Sequence, residues 1–280
     1  MSTEPTPRTR TGAAREPKRR VHHFPMLKQR GVPIAMVTAY DYPTGLAADA
    51  SGCDAVLVGD SLGMVALGYD STIPVTMDDM VHHGAAVRRG VRRAFVIVDM
   101  PFLAYQVSTE QAVTNAGRLM QQGGAEAVKV EGGVETADAI HHIVRAGIPV
   151  MGHVGLTPQS VHMLGGYRVQ GRHDEAASAL MADALAVEQA GAFAIVLEAM
   201  DPEVAAEITA ALAIPTIGIG AGRRCGGQVL VASDLLGMLP TPAPRFAKGY
   251  ASLNKSMVEA MALYCDEVRG GRFPEQKHEY

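Results

Sequence analysis

A set of polar residues stands at or just beyond the ends of apolar runs, where a buried strand gives way to a loop. Asp60 and Ser61 close AVLVGDSLG, Asp99 closes FVIVDMPF, and Lys129 and Glu131 sit two apart in AVKVEGG. His153 falls in PVMGHVGLTPQ and Glu198 ends AIVLEAM. Asp60, Asp99 and Glu131 are hard oxygen donors, the kind that hold Mg²⁺ through few carboxylates while water or substrate fills the other positions. Such a cation can chelate a 2-oxo acid and offset the charge that develops on an enolate oxygen. Lys129 can add positive charge there, bind a substrate carboxylate, or form a structural ion pair with Glu131. Glu198 is left free as a carboxylate base for a proton beside the carbonyl.

Taken singly, each residue has a plainer reading. An acidic residue after a strand is often a helix N-cap or a turn-former. A lysine inside an apolar run is harder to set aside, because an unpaired buried ammonium is costly. Five consecutive strands that each deliver a polar group to one edge argue for a site. A spacing of two also places Lys129 and Glu131 on one side of their strand.

The elements that must position these groups follow from hydropathy. Short apolar runs at 34–41, 53–60, 94–99, 125–131, 149–154, 192–198, 215–220 and 229–234 alternate with helical patterns. Most are continuous rather than alternating, as expected of parallel strands covered on both faces. Ser108 with Gln111 fits a capping box, Thr76 precedes Asp78 and Asp79, and Asp201 precedes an N1 proline, Pro202. Gly123-Gly124, Gly147 and Gly191 sit where helices should stop. Eight such strands with intervening helices predict a single (β/α)8 barrel over residues 21–280, with its site at the C-terminal rim. A doubly wound sheet is the runner-up.

Composition sets outer bounds. The 280 residues include 30 glycines, six Phe, eight Tyr and no Trp. Glycine is thus well above the usual ~7%, which suits many tight strand–helix junctions. The net charge is −4, yet Arg8, Arg10, Arg15, Lys18, Arg19 and Arg20 crowd residues 1–20, so the remaining chain is more acidic than the total. An acidic body is a poor nucleic-acid binder, and the Pro/Thr/Arg-rich start reads as a disordered leader. That start lacks an apolar h-region, and no run of 18 apolar residues follows, so a cytoplasmic protein with no membrane span is expected. Cys53, Cys225 and Cys265 are odd in number and widely spaced, which indicates neither a disulfide framework nor a thiolate metal site.

Other candidates are weaker. Adjacent residues on a helix do not share a face, so His82-His83 and His141-His142 read as surface or packing residues. Gly218–Gly222 (GIGAG) lacks the spacing of a dinucleotide fingerprint; its backbone amides are a lesser candidate for an anion. The 15 methionines read as core fillers.

The motifs TAYDYP (38–43), VGDSLGMV (58–65), TIPVTMDDMVHH (72–83), VDMPF (98–102), VKVEGG (128–133), GHVGLTPQ (152–159), GGYRVQGR (165–172), GIGAG and GQVLV (227–231), with PRFAKGYA and FPEQKHEY near the end, together resemble the 3-methyl-2-oxobutanoate hydroxymethyltransferase (ketopantoate hydroxymethyltransferase) family. The resemblance implies a barrel of the phosphoenolpyruvate/pyruvate type, assembled as a homodecamer of two pentameric rings. It implies Mg²⁺ held by Asp60 and Asp99, with Glu131 as a further ligand, directly or through water. Asp60, Ser61, Asp99, Lys129 and His153 would bind the 2-oxo acid. Glu198 would accept the proton, and 5,10-methylenetetrahydrofolate would be the one-carbon co-substrate in pantothenate biosynthesis. Gly226 and Ser233 depart from the pattern, where Asp and His are usual. The Arg-rich leader lies outside it. Another enolate enzyme of the same barrel class, such as a mutase or lyase, would depend on a catalytic cysteine or other gating-loop residue, and neither Cys53, which begins a strand, nor Cys225, which follows GIGAG, has that setting. A non-catalytic metabolite-binding barrel is disfavoured because the candidate base and every candidate ligand are present.

Overall fold

A computed structural model describes residues 17–280. Arg8, Arg10 and Arg15 of the expected leader lie outside the described residues. The elements run α1 (His23–Gln29), β1 (Ile34–Thr38), α2 (Tyr42–Ser51), β2 (Ala55–Val58), α3 (Leu62–Val65), α4 (Met77–Gly90), β3 (Phe95–Asp99), α5 (Thr109–Gln121) and β4 (Ala127–Glu131). They continue with α6 (Ala137–Arg145), β5 (Val150–Gly155), α7 (Asp174–Gln189), β6 (Ala194–Glu198), α8 (Pro202–Ala211), β7 (Thr216–Ile219), β8 (Gly227–Leu230), α9 (Ala232–Leu236) and α10 (Leu253–Arg269).

All eight strands pair in parallel and in sequence order, and β8 pairs with β1 to close the barrel. The doubly wound alternative is therefore excluded. Side chains alternate across each strand. Leu57, Ile97, Ala127, Met151 and Val196 fill the interior, whereas Val56, Val98, Val128, Val154 and Leu197 pack outward beneath the helices. In β2 to β6 both faces are buried, and these strands are apolar except toward their C-terminal ends. There Asp99, Lys129, Glu131, His153 and Glu198 share the inward parity of Ile97, Ala127, Met151 and Val196.

The opposite mouth is closed by α1. Phe24 is buried and meets Phe95 and Phe193 edge-on at 5.4 and 5.1 Å, a geometry favoured by the ring quadrupoles. Lys18 and Arg19 fasten the chain across this face. Lys18 pairs with Glu126 and donates to the Ala94 carbonyl, and Arg19 pairs with Asp54 at 3.0 Å. Lys28 donates to the carbonyls of Thr209 and Leu212 at the end of α8, where helix carbonyls lack partners, and to that of Ile214 just beyond it.

The helix starts hold with one amendment. Thr76 and Asp79 form a full capping box, and Asp201 accepts from the Glu203 N–H. Ser108 accepts from the Gln111 N–H without the reciprocal bond. Gly124, Gly147 and Gly191 adopt positive φ at the expected helix stops. Two strand boundaries need correction. Asp41 is not the end of β1; it caps α2 in a box with Thr44. The eighth strand is Gly227–Leu230 rather than 229–234, and Asp234 lies in α9. Gly227 reads as a loop residue by type, yet it pairs with Ile34 so closely that a Cβ would fall 2.4 Å from the Ile34 carbonyl oxygen.

Candidate active site

Strand register decides which side chains meet. Asp99 is paired with Lys129, and Glu131 with His153. The Lys129 ammonium lies 3.3 Å from Asp99 Oδ2, 3.7 Å from Glu131 Oε1 and 3.0 Å from His153 Nδ1. His153 Nδ1 also lies 3.4 Å from Glu131 Oε1. Burial and the Lys129 charge act to lower the imidazole, but the carboxylates of Glu131 and Glu198 raise it to about 9. His153 Nε2 lies 3.2 Å from Glu198 Oε2. Asp60 follows β2 and reaches the group through its backbone N–H, which donates to Asp99 Oδ2 at 3.1 Å. Ser61, beside it, shares a 2.9 Å hydrogen bond with the Tyr40 hydroxyl. All seven expected residues therefore gather at one rim, and Glu198 ends the chain of contacts as its accessible member: its side chain is 18% exposed against 2% for His153.

Burial governs the charge balance. It pushes the Asp60 carboxyl well above the ordinary range, and the charges of Glu131 and Asp99 push it further. Burial also raises Asp99, with Lys129 opposing. Burial alone would lower the Lys129 ammonium, but Asp99, Glu131 and Asp60 together hold it above its usual value. Glu131 is held below the usual range because Lys129 and His153 overcome its burial. The structural ion pair of Lys129 and Glu131 is thus real, and it is shared with Asp99.

The residues fit a divalent cation on two counts. Asp99 Oδ1 is buried and has no hydrogen-bond partner, an arrangement that costs free energy unless something else satisfies it. Asp60 and Asp99 are two hard donors whose raised proton affinity reflects burial together with neighbouring negative charge. No group of three or more His, Cys, Asp or Glu among the described residues is arranged to hold a metal alone.

Backbone geometry fixes Glu198. Ala199, the next residue, is held at φ +43°, which costs a non-glycine residue about 1–2 kcal/mol. The kink persists because the Ala199 N–H donates to the Ile219 carbonyl while its own carbonyl accepts from the Gln170 N–H. Gly155, two residues after His153, has φ +98°, and a Cβ there would sit 2.3 Å from the Glu198 carbonyl oxygen. Beyond Ala199 a cavity of about 540 Å³ is lined by Tyr167, Arg168, Gln170, Arg172 and His173.

Sequence reasoning missed Gln159, Tyr105 and Tyr40. Gln159 is buried and donates to Asp60 Oδ2, yet it sits in a short turn after Pro158, where a polar residue carries no distinguishing signal. His83 binds the Tyr40 carbonyl and His142 pairs with Asp138 on its own helix, so both are structural as expected. Phe246 and Pro202 pack over Gly220 and Gly222 in the GIGAG loop. Of the two departures from the family pattern, Gly226 donates to Thr216 Oγ1, and the Ser233 hydroxyl is buried without a hydrogen-bond partner. No helix among the described residues is long and apolar enough to cross a membrane.

Fold and rim together define a (β/α)8 barrel with its charged residues gathered at the C-terminal rim. Among solved structures, 2,3-dimethylmalate lyase, a phosphoenolpyruvate mutase/isocitrate lyase superfamily member, matches with a TM-score of 0.58 at 15% identity, covering 92% of this chain and 91% of its own. Phosphonopyruvate hydrolase in complex with oxalate and Mg²⁺ matches with a TM-score of 0.62 at 12% identity, covering 92% and 90%. At such identities the likeness is one of fold. The sequence is more specific: residues 18–276 match the family model of ketopantoate hydroxymethyltransferase, and the chain belongs to that family of transferases. The 3-methyl-2-oxobutanoate hydroxymethyltransferase of Dehalococcoides mccartyi (strain 195) is 59% identical over 91% of this chain and 90% of its own length. That of Moorella thermoacetica is 57% identical over 91% and 94%.

Proposed function

We propose that this chain transfers a hydroxymethyl group from 5,10-methylenetetrahydrofolate to 3-methyl-2-oxobutanoate, giving 2-dehydropantoate (ketopantoate) for pantothenate and coenzyme A synthesis in the cytoplasm. Family membership supports the reaction class. The observation that carries the mechanism is the separation of roles along the rim: Glu198 is accessible, and the acidic cluster and Lys129 lie buried on the other side of His153.

Asp60 and Asp99 would hold Mg²⁺, with Glu131 acting through water because its carboxylate already faces Lys129 and His153. When bound, Mg²⁺ supplies positive charge opposite the oxygens of the 2-oxo acid. Ser61, Lys129 and His153, with Asp60 and Asp99, orient the substrate. Glu198 takes the proton from C3, and the C–H electron pair moves toward the carbonyl oxygen to form the enolate. C3 then bonds to the methylene carbon of the folate as one C–N bond breaks, and the oxygen of water bonds to that carbon as the second C–N bond breaks. The proton taken from C3 and one from the water pass to the two nitrogens, and tetrahydrofolate leaves. The kink at Ala199 holds Glu198 in place for the proton transfer.

Incubation of the protein with 3-methyl-2-oxobutanoate, Mg²⁺ and methylenetetrahydrofolate is expected to yield ketopantoate; no product would sink the reading. In D₂O, Glu198→Gln is expected to bind the 2-oxo acid yet exchange its C3 hydrogen at least 10²-fold more slowly. Exchange at the parent rate would assign the base elsewhere.

A further inference from the structure

Gln159 has no part in the mechanism just given, yet it is the most heavily bonded side chain at the rim. It is 4% exposed. Its Nε2 donates to Asp60 Oδ2 and to the Met100 carbonyl, both at 2.9 Å. Its backbone N–H donates to Glu131 Oε2 at 3.1 Å. Its Oε1 accepts from the Tyr105 hydroxyl at 2.8 Å and from Gln106 Nε2 at 3.3 Å. The amide cannot be turned over, because a carbonyl and a carboxylate, both acceptors only, face Nε2 while donors face Oε1.

Through one residue, the loop after β5 thus reaches the ends of β2, β3 and β4. Asp60 and Glu131 repel one another in a buried setting. Gln159 gives each of them one N–H. Unlike Lys129, it brings no positive charge, so it steadies the carboxylates without competing with a cation. Its hold on Asp60 Oδ2 also fixes that carboxylate's rotation and leaves Oδ1 for another partner. Partners of ligating carboxylates tune metal affinity in this way.

The geometry points to Gln159 as a positioning residue for the divalent cation: it locks Asp60 and Glu131 in the arrangement the cation meets, and is itself locked by Tyr105. This rests on the metal reading of Asp60 and Asp99 given above, and the test separates the two. Mn²⁺ binding to the full chain is measured by the loss of the free-ion electron paramagnetic resonance signal, for the parent, Asp60→Asn, Gln159→Ala and Gln159→Met. The expected result is that Asp60→Asn loses binding and that the Gln159 variants bind about 10- to 100-fold more weakly. Saturating Mg²⁺ should restore kcat in the Gln159 variants and leave a raised apparent KM for the metal, since excess metal does not repair a damaged fold. If Asp60→Asn binds Mn²⁺ like the parent, the metal reading itself is wrong. If Asp60→Asn loses Mn²⁺ while the Gln159 variants keep parent affinity, or if saturating Mg²⁺ leaves their kcat low, the role of Gln159 is overturned. Should the Gln159 variants lack a native near-ultraviolet dichroism spectrum, Tyr105→Phe carries the test. It is expected to weaken Mn²⁺ by about tenfold, at the low end of such effects, and parent-like affinity would overturn the proposal.

Discussion

At the scale of single residues, the site is a balance of buried charges. Lys129 is surrounded by Asp99, Glu131 and His153 inside a barrel whose interior is otherwise apolar. Removing one partner of a buried ionic group is costly because the remainder stays uncompensated. Lys129→Met should therefore destabilise the metal-free protein by about 3–5 kcal/mol, read as a lower urea midpoint, and Mg²⁺ should recover part of the loss. Ala199→Gly makes the opposite case. It should relieve about 1 kcal/mol of left-handed strain and raise the melting temperature, while ketopantoate formation falls because Glu198 loses its fixed platform. A variant that is both more stable and fully active would show that the kink has no part in placing the base.

At the scale of elements, the barrel depends on side chains that tie a helix to the entry of a strand distant in the chain. Asp49 near the end of α2 accepts from the N–H groups of Arg92, Arg93 and Ala94 at 3.1, 2.8 and 2.7 Å, and so sets the entry into β3. Burial acts to raise its carboxyl, but these three N–H groups and the Arg93 charge hold it below the usual range. A carboxylate with a depressed folded-state pKa contributes its stability above the unfolded value and loses it as pH falls through the folded one. Asp49→Asn should cost about 1–3 kcal/mol at neutral pH. The gap between parent and variant, measured by denaturant unfolding, should stay constant down to about pH 4 and close below it. A gap that widens on acidification would contradict the assignment.

At the scale of the whole molecule, α10 stands apart from the barrel. None of its residues is buried, and Met257, Val258, Met261, Leu263, Tyr264 and Val268 are exposed along it. So large an apolar face marks an interaction surface rather than ordinary solvent exposure. It supports self-assembly, which the family resemblance implies as a homodecamer. Light scattering coupled to size exclusion should report an assembly of ten chains, and Met257→Glu with Met261→Glu should reduce the assembled mass. A parent protein that runs as a monomer at micromolar concentration would remove this part of the proposal.

The sequence by itself determined the barrel class, the strand order, most helix starts and the members of the rim. Local signals sufficed there: continuous apolar runs report burial on both faces, caps act within three residues, and polar residues ending five successive runs point to one shared rim. Boundaries failed where a local type had two meanings. Asp41 ends an apolar run but caps a helix, and Gly227 looks like a loop residue until Ile34 is laid against it. Only the tertiary structure decided which charges meet. The contact of Lys129 with Asp99 follows from the register of β3 against β4, and that of His153 with Glu198 from the pairing of β5 and β6. Gln159 lies 99 positions from Asp60 in the chain, and no local pattern encodes a hydrogen bond made by closing a barrel. Residue type fixed what each group can do; the register of the closed sheet fixed which group it does it with.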